Sequence, residues 1–395
     1  MAACAAVERS PACSVTVFDA SVPLATVLRT GGGRCNLTNE GKGIHELAAC
    51  YPRGGKFLLS AFARFGPPET IDWFQARGLP LVTEEEGRVF PRSGRAEDVR
   101  RVLEAEARHA GVQVRARTPV VGLSRGPGAA FTLGTVQGTD AFDRVIVATG
   151  GDWRHPKGPG YSVAQGLGHS ITPLAPSLSA LSAGESWVGR LAGLTVRGAR
   201  AAWRLEGEKP GHEKGDLLFT HGGISGPLAF RVSSRCAYTP ISRSSPLHLS
   251  LQVHPGTHGA ELEAGLIGRL ADRPRQLAVT AAAAMVPRSL AEVMMELAGL
   301  DRGLPGAQLS RDGRKRLAAL MASLPVSIVG RGTGTEMVTA GGVRCEEIDP
   351  RTMESRLVPG LFFCGEVLDV DGFTGGYNLQ AAWSTGRIAG LAAGR

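Results

Sequence analysis

The sequence predicts an α/β fold with a parallel sheet, interrupted by a β-rich insertion that carries a helical part. Three observations predict it. Strand-like apolar runs alternate with amphipathic helical stretches over residues 1–172. Glycine-rich turns follow several of those runs directly. From Pro173 the texture changes to short β-like segments and then a helical block, before a buried strand and a closing helix return near the C-terminus. The expected division is residues 1–172, an inserted domain over 173–335, and 336–395 rejoining the first domain.

Taken in order, Met1–Arg9 is helical in composition, and Ser14–Asp19 (SVTVFD) is a β-rich run ending in an acid. A glycine-rich loop follows at Thr30–Gly33. Gly55–Arg64 and Pro68–Arg77 are expected helices, with Phe57, Leu58, Phe62 and Phe65 spaced to face a core. Ala96–Ala110 is a further helix, opened by Glu97 and Asp98, whose charge suits a helix N-terminus. Strands are expected at Val112–Arg117, Val120–Ser124 and Ala130–Val136, the last two joined through Arg125–Gly128 (RGPG). Arg144–Ala148 (RVIVA) is a continuous apolar strand running into Thr149, Gly150 and Gly151.

In the insertion, Leu191–Val196, Ala201–Leu205, Asp216–Phe219 and Leu247–Val253 have strand character. Residues 260–321 form a helical block broken at Pro274, Pro287 and the 299–305 stretch. Gly360–Cys364 (GLFFC) is a buried strand and Gly376–Ala393 a helix.

Composition sets limits on function. Hydrophobic residues at 43% and charged residues at 20% describe a globular chain. No apolar run reaches the roughly 18–20 residues that cross a bilayer, and no basic leader precedes an apolar stretch, so a cytoplasmic protein without membrane attachment is expected. The 7 cysteines are odd in number, scattered and without a CxxC pair, which argues against a disulfide framework and against a zinc site. The net charge of +8 is carried almost wholly by arginine. It is compatible with RNA or another anionic partner, and equally with an arginine-rich genome.

In open α/β sheets, ligands bind beyond the carboxyl ends of the strands. A glycine there lets backbone approach a phosphate or flat ring, and free N–H groups face the ligand. An acid closing the second strand, here Asp19, is placed to accept hydrogen bonds from ribose hydroxyls.

Taken together, TGGGRCNLTN (Thr30–Asn39), VATGG (Val147–Gly151), LLFTHGGISGP (Leu217–Pro227), VTAGGV (Val338–Val343) and GEVLDVDGFTGGYNLQAAWSTGRIAG (Gly365–Gly390) closely resemble the bacterial flavoproteins grouped as BaiN/YhiN-like, or aminoacetone oxidase family FAD-binding enzymes. The resemblance covers essentially the whole chain and implies a Rossmann-type FAD-binding domain interrupted by a β-rich domain and a helical subdomain. It also implies an oxidoreductase that moves hydride from NAD(P)H through FAD to an activated C=C bond. The acceptor is either uridine in ribosomal RNA or a small-molecule enone, with the basic charge tilting toward RNA.

Carried over by position, the resemblance places Asp19 at the adenosine ribose and Gly31, Gly32, Gly33, Arg34, Cys35 and Asn36 beside the flavin. Thr149, Gly150 and Gly151 line the cofactor, and Gly365, Glu366 and Asp369 face its ribityl–pyrophosphate part. Gly375, Gly376, Tyr377, Asn378 and Leu379 present helix N-terminal amides to the electron-poor edge of the ring, where reduced flavin carries negative charge. A side chain at Gly376 is expected to occupy the space of that ring. Cys35 is either a proton donor to carbon or a small residue filling a tight loop. His221 is either an acid–base group or a histidine holding a backbone carbonyl.

Two departures from the family pattern stand out. MAACAAVE already has the character of the first helix, so the strand and GxGxxG turn that should precede it are expected to lie ahead of Met1. Val22–Thr26 stands where an Arg-Lys pair is usual, and the stretch after VATGG (Asp152–Tyr161) is altered, keeping only Gly158, Gly160 and Tyr161 of its usual glycine-rich turn. A flavin-free remnant that binds only RNA or a protein partner is the competing reading.

Overall fold

The computed structural model describes residues 1–395 except 127–129, 156–157, 206–208, 255–256, 258 and 333–336. The turn expected at Pro127 and Gly128 and the expected boundary at residue 335 lie outside the described residues. So do Pro156 and Lys157 of the altered Asp152–Tyr161 stretch. The chain divides into two compact units, Met1–Ser177 with Val338–Arg395, and Leu178–Met337.

The first unit opens with α1 (Ala2–Arg9) and β1 (Thr16–Phe18), followed by a short 3-10 segment at Val27–Gly33 and β2 (Thr38–Asn39). Next come α2 (Ile44–Ala48), α3 (Gly55–Phe62), α4 (Pro67–Gln75), β3 (Leu81–Thr83) and β4 (Arg88–Pro91). Then follow α5 (Ala96–His109), β5 (Gln113–Arg115), β6 (Val120–Arg125), β7 (Phe131–Thr135), β8 (Gly138–Phe142), β9 (Val145–Val147), α6 (Pro159–Gly166) and β10 (Ala175–Ser177). After the second unit the chain returns with β17 (Val338–Ala340), β18 (Leu361–Phe363) and α12 (Tyr377–Ala393).

The parallel strands form two ribbons. β1 pairs with β5, and β9 pairs with β18. Among the described residues, no strand joins β1 to β9. β2, β4 and β3 make a small antiparallel sheet, β6–β7–β8 make another, and β10 pairs with β17. The strands expected at Val120–Ser124 and Ala130–Val136 do pair with each other, and β8 adds a third strand that the sequence reading lacked.

α12 is the spine of this unit. Tyr377, Gln380, Ala381, Trp383, Ser384, Thr385, Ile388 and Ala389 are all buried, so it has no solvent-facing stripe for most of its length. α1 packs against it through glycine: a Cβ built at Gly390 would lie 2.1 Å from the carbonyl oxygen of Ala2. At its other end the Trp383 indole donates to the Leu37 carbonyl at 3.0 Å, and the Ser384 hydroxyl donates to that of Phe65 at 2.6 Å. α12 thereby fixes the 37–39 segment, which leads directly into the site.

The second unit is a closed barrel built from β11 (Leu181–Ala183), β12 (Thr195–Trp203), β13 (Gly211–Thr220), β14 (Gly223–Ser225), β15 (Leu247–Gln252) and β16 (Leu324–Arg331). Around the barrel the order is β11-β14-β13-β12-β15-β16. Among the described residues, the helices α7 (Gly226–Arg235), α8 (Gly259–Asp272), α9 (Ala278–Ala283), α10 (Arg288–Leu297) and α11 (Arg311–Ala322) accompany it. Barrel side chains such as Leu217, Phe219 and Leu251 share one core with Leu266, Met294 and Leu317 of the helices. The strand expected at Leu191–Val196 is not one element: a 3-10 turn occupies Ser186–Leu191 and the strand begins at Thr195. It then bulges between Val196 and Ala199 and continues into the segment expected to start at Ala201, ending at Trp203. Expected breaks at Pro274, Pro287 and 299–305 fall between successive helices, because proline removes a backbone donor and clashes with the preceding turn.

No disulfide joins the cysteines among the described residues. No helix in those residues is long and apolar enough to cross a membrane.

Candidate functional site

The loop from Thr30 to Asn36 is built on left-handed backbone. Gly31, Gly32 and Gly33 have φ of 57°, 68° and 86°, and Cys35 follows at 59°. A Cβ at Gly31 would meet the Asn36 amide nitrogen at 2.8 Å, whereas nothing lies within 4 Å of one at Gly32 or Gly33. Glycine is therefore needed at Gly31 for a close backbone approach and at the next two positions for conformation, leaving an open surface.

The side chains of this loop divide their work. Arg34 is turned away to form a forked ion pair with Glu84 and lies 4.1 Å over the Phe90 ring. Cys35 is fully buried, packed with Val27, Leu37 and Val89, and desolvation pushes its thiol pKa up to about 11. It is a protonated thiol at neutral pH. With its amide turned so that the nitrogen meets the acceptors and the oxygen meets the donor, Asn36 donates to the carbonyls of Val89 and Thr38 at 3.3 and 3.1 Å and accepts the Gly376 N–H at 3.1 Å. Asn36 thus pins this loop to the start of α12.

The α12 start is itself tightly bent. Gly375 and Gly376 have φ of 130° and 90°. The Asn39 side chain donates to the Gly375 carbonyl at 3.2 Å. Asn378 closes the preceding turn, accepting from the Gly372 N–H at 2.8 Å and donating to its carbonyl at 2.9 Å. The Tyr51 hydroxyl donates to the Tyr377 carbonyl at 2.6 Å. The amides of Tyr377, Asn378 and Leu379 are first-turn donors, which a helix leaves without an intrahelical carbonyl. Leu379 itself packs half-buried against the core around Trp383. The sequence expectation for Gly376 needs correcting: the space of its missing side chain is filled by the Thr38 backbone, with the carbonyl oxygen 2.4 Å from a built Cβ.

Beyond the carboxyl ends of β9 and β18 lies the second group. Thr149 is exposed at the end of the β9 run, Gly150 has φ of 75°, and both border a cleft of about 620 Å³ with Asp152, Gly160 and Tyr161. Gly151 lies against Glu366, whose Oε1 would be 2.7 Å from a Cβ there. Glu366 accepts the Thr339 N–H at 2.7 Å, and desolvation pushes its carboxyl up to about 7. Gly365 has φ of 75° and donates its N–H to Thr385 Oγ1 at 3.0 Å. Asp369 has an Oδ1 without a hydrogen-bond partner, and desolvation raises its pKa. Asp19, at the carboxyl end of β1, accepts from the Ser21 N–H at 2.7 Å and from its hydroxyl at 3.1 Å.

Sequence reasoning missed several participants. Thr339 holds Glu366 and accepts the Trp153 N–H at 3.2 Å. The fully buried Asp371 is gripped by the Arg53 guanidinium and by the Ser177 hydroxyl. Lys42 places its ammonium 5.6 Å from the Tyr377 ring centroid. Asp371 and Thr339 were within reach, since they lie in the Gly365–Gly390 and Val338–Val343 motifs; Arg53 carries no local signal. His221 belongs to the second unit, exposed at the turn between β13 and β14. Among the described residues its ring has no hydrogen bond or ion pair.

The arrangement fits a flavin dinucleotide. Gly32, Gly33 and Gly150 each have open space where a side chain would stand, the start of α12 lies against the first glycine loop, and Asp369 keeps a buried oxygen unsatisfied.

Fold and family together make this a Rossmann-type flavoprotein of oxidoreductase class. A family model described as the HI0933-like protein Rossmann domain matches residues 1–392, and the chain belongs to that family. It is 30% identical over 372 residues to the 3-dehydro-bile acid delta(4,6)-reductase of Clostridium scindens, covering 93% of this chain and 89% of the relative. It is also 30% identical over 367 residues to the ribosomal RNA dihydrouridine synthase of Escherichia coli K12, covering 92% and 87%. Among solved structures, the 3-ketosteroid-delta4-(5alpha)-dehydrogenase of Rhodococcus jostii RHA1 aligns with a TM-score of 0.51 at 15% identity, over 100% of this chain and 94% of that one; that likeness concerns the fold alone.

Proposed function

We infer that the protein binds FAD noncovalently in the first unit and reduces an activated C=C bond with electrons from NADH or NADPH. The observation that carries this reading is the bond between Asn36 and Gly376, which brings the open glycine loop and the first amides of α12 together. The names of two relatives support the reaction class, one a reductase of a bile acid and the other a synthase of dihydrouridine. Bound FAD supplies the hydride relay between nicotinamide and acceptor.

In this reading the amides of Tyr377, Asn378 and Leu379 stabilise negative charge on the ring. Gly31–Gly33 let the backbone approach it, and Thr149, Gly150 and Gly151 line the remainder. Gly365, Glu366 and Asp369 take the ribityl–pyrophosphate part, and Asp19 the adenosine ribose. Cys35 holds the proton delivered to the acceptor carbon. The two acceptor classes are uridine in ribosomal RNA and a small-molecule enone. Heat release of the flavin from purified protein, followed by chromatography, tests the cofactor: FAD is expected, and FMN alone would remove the dinucleotide assignment.

A further inference from the structure

The outer wall of the barrel carries cations that its own acids leave unpaired. β12 and β13 turn alternate side chains outward, and the bulge between Val196 and Ala199 resets that alternation so that Arg197 and Arg200 are both exposed. Across the ladder, Arg200 stands directly opposite Lys214, and His212 stands opposite Ala202. Like charges directly opposite one another destabilise a sheet, yet this pair occupies the middle of the wall. Arg204 and Lys209, just beyond the strand ends, are exposed as well.

Among the described residues, Arg197, Arg200, Arg204, Lys209 and Lys214 have no ion pair. The acids of the same strands are engaged otherwise. Asp216 accepts the Gly198 N–H at 2.8 Å. Glu213 points to the opposite face, where Arg235 and Arg231 of α7 hold it at 2.9 and 3.7 Å.

The kind of anion follows from what surrounds the cations. The large exposed apolar side chains of the chain, such as Val121, Val136 and Met337, lie elsewhere, and none is on β12, β13 or β15. A membrane-surface site needs apolar groups to insert. A nucleic-acid backbone needs only cations at regular spacing, and outward residues on one strand recur about every 7 Å. We propose that the β12–β13 wall binds the phosphate backbone of an RNA strand. The proposal rests on the reductase reading and deepens it, assigning the acceptor to the RNA class.

The test is fluorescence anisotropy of a labelled uridine-rich single-stranded RNA with the full-length protein, across a salt series. Arg200→Glu with Lys214→Glu should weaken binding about tenfold or more and make the salt slope shallower by about 1.4, the loss of two phosphate contacts on a single strand. Arg200→Gln with Lys214→Gln removes the like-charge pair, so it should melt no lower than the wild type and still bind more weakly. Unchanged RNA affinity in either folded variant overturns the proposal, as does binding of phosphatidylserine vesicles without binding of RNA. Flavin content and nicotinamide-driven reduction, read on the same samples, separate the two claims. A yellow, reducible protein that ignores RNA overturns the RNA wall and leaves the reductase, whereas a colourless one that binds RNA through Arg200 and Lys214 does the reverse.

Discussion

The carbonyl oxygen of Thr38 occupies the space that a side chain at Gly376 would need, 2.4 Å from the position of its Cβ. With φ at 90°, Gly376 is required both by backbone conformation and by that contact. Gly376→Ala and Gly376→Val should therefore lower the melting temperature and the flavin content together. The left-handed backbone alone costs on the order of 1–3 kcal/mol. Thermal unfolding with and without added FAD checks this; full flavin content and an unchanged melting temperature in Gly376→Val would contradict the contact.

Asn36 couples the two halves of the site through the Gly376 N–H and the carbonyls of Val89 and Thr38. Asn36→Ala leaves those backbone groups to find water, at a cost of about 1–3 kcal/mol. The expected result is a fall in flavin affinity of about tenfold or more, measured by fluorescence titration of the flavin-free protein. An unchanged dissociation constant would mean that the pin is not needed.

Glu366 predicts a pH dependence with a definite sign. Its carboxyl titrates near 7 in the folded flavin-free chain, against about 4.3 when unfolded. Between those values the folded state keeps a proton that the unfolded state has lost, so stability falls as pH rises through that window and levels off above the folded value. The full effect is on the order of 3 kcal/mol. Glu366→Gln should flatten the descent, read as denaturant midpoints across pH, and a profile identical to wild type would place the titrating group elsewhere.

Cys35 is buried and holds its proton at neutral pH. Cys35→Ala should retain flavin and its reduction by nicotinamide, and lose turnover of any acceptor that takes up a proton at carbon. Unchanged turnover would leave Cys35 a packing role beside Val27 and Leu37.

What the sequence made legible was local. The 3.6-residue spacing of Phe57, Leu58 and Phe62 and the acids opening α5 mark helices because their signal lies within one element. The glycine motifs mark where backbone must turn, and Gly31, Gly150, Gly365 and Gly376 do have positive φ. Non-local pairings left no trace. The β2–β4–β3 sheet rests on strands of two to four residues, too short for a periodic pattern, and β14 is a three-residue strand within a glycine-rich motif. What a side chain at Gly376 would meet was misjudged for the same reason, since its neighbour Thr38 is distant in sequence. The ion pair of Arg53 with Asp371 and the bond from Thr339 to Glu366 likewise join remote segments.

The most direct test of the central claim is anaerobic titration of the purified protein with NADH and NADPH, followed by addition of acceptor. The expected result is a yellow protein whose oxidised flavin band bleaches with one of the two nucleotides and returns when uridine-containing ribosomal RNA or a conjugated enone is added, with one C=C bond reduced for each flavin reoxidised. A colourless protein, or a flavin that neither nucleotide reduces, would contradict it.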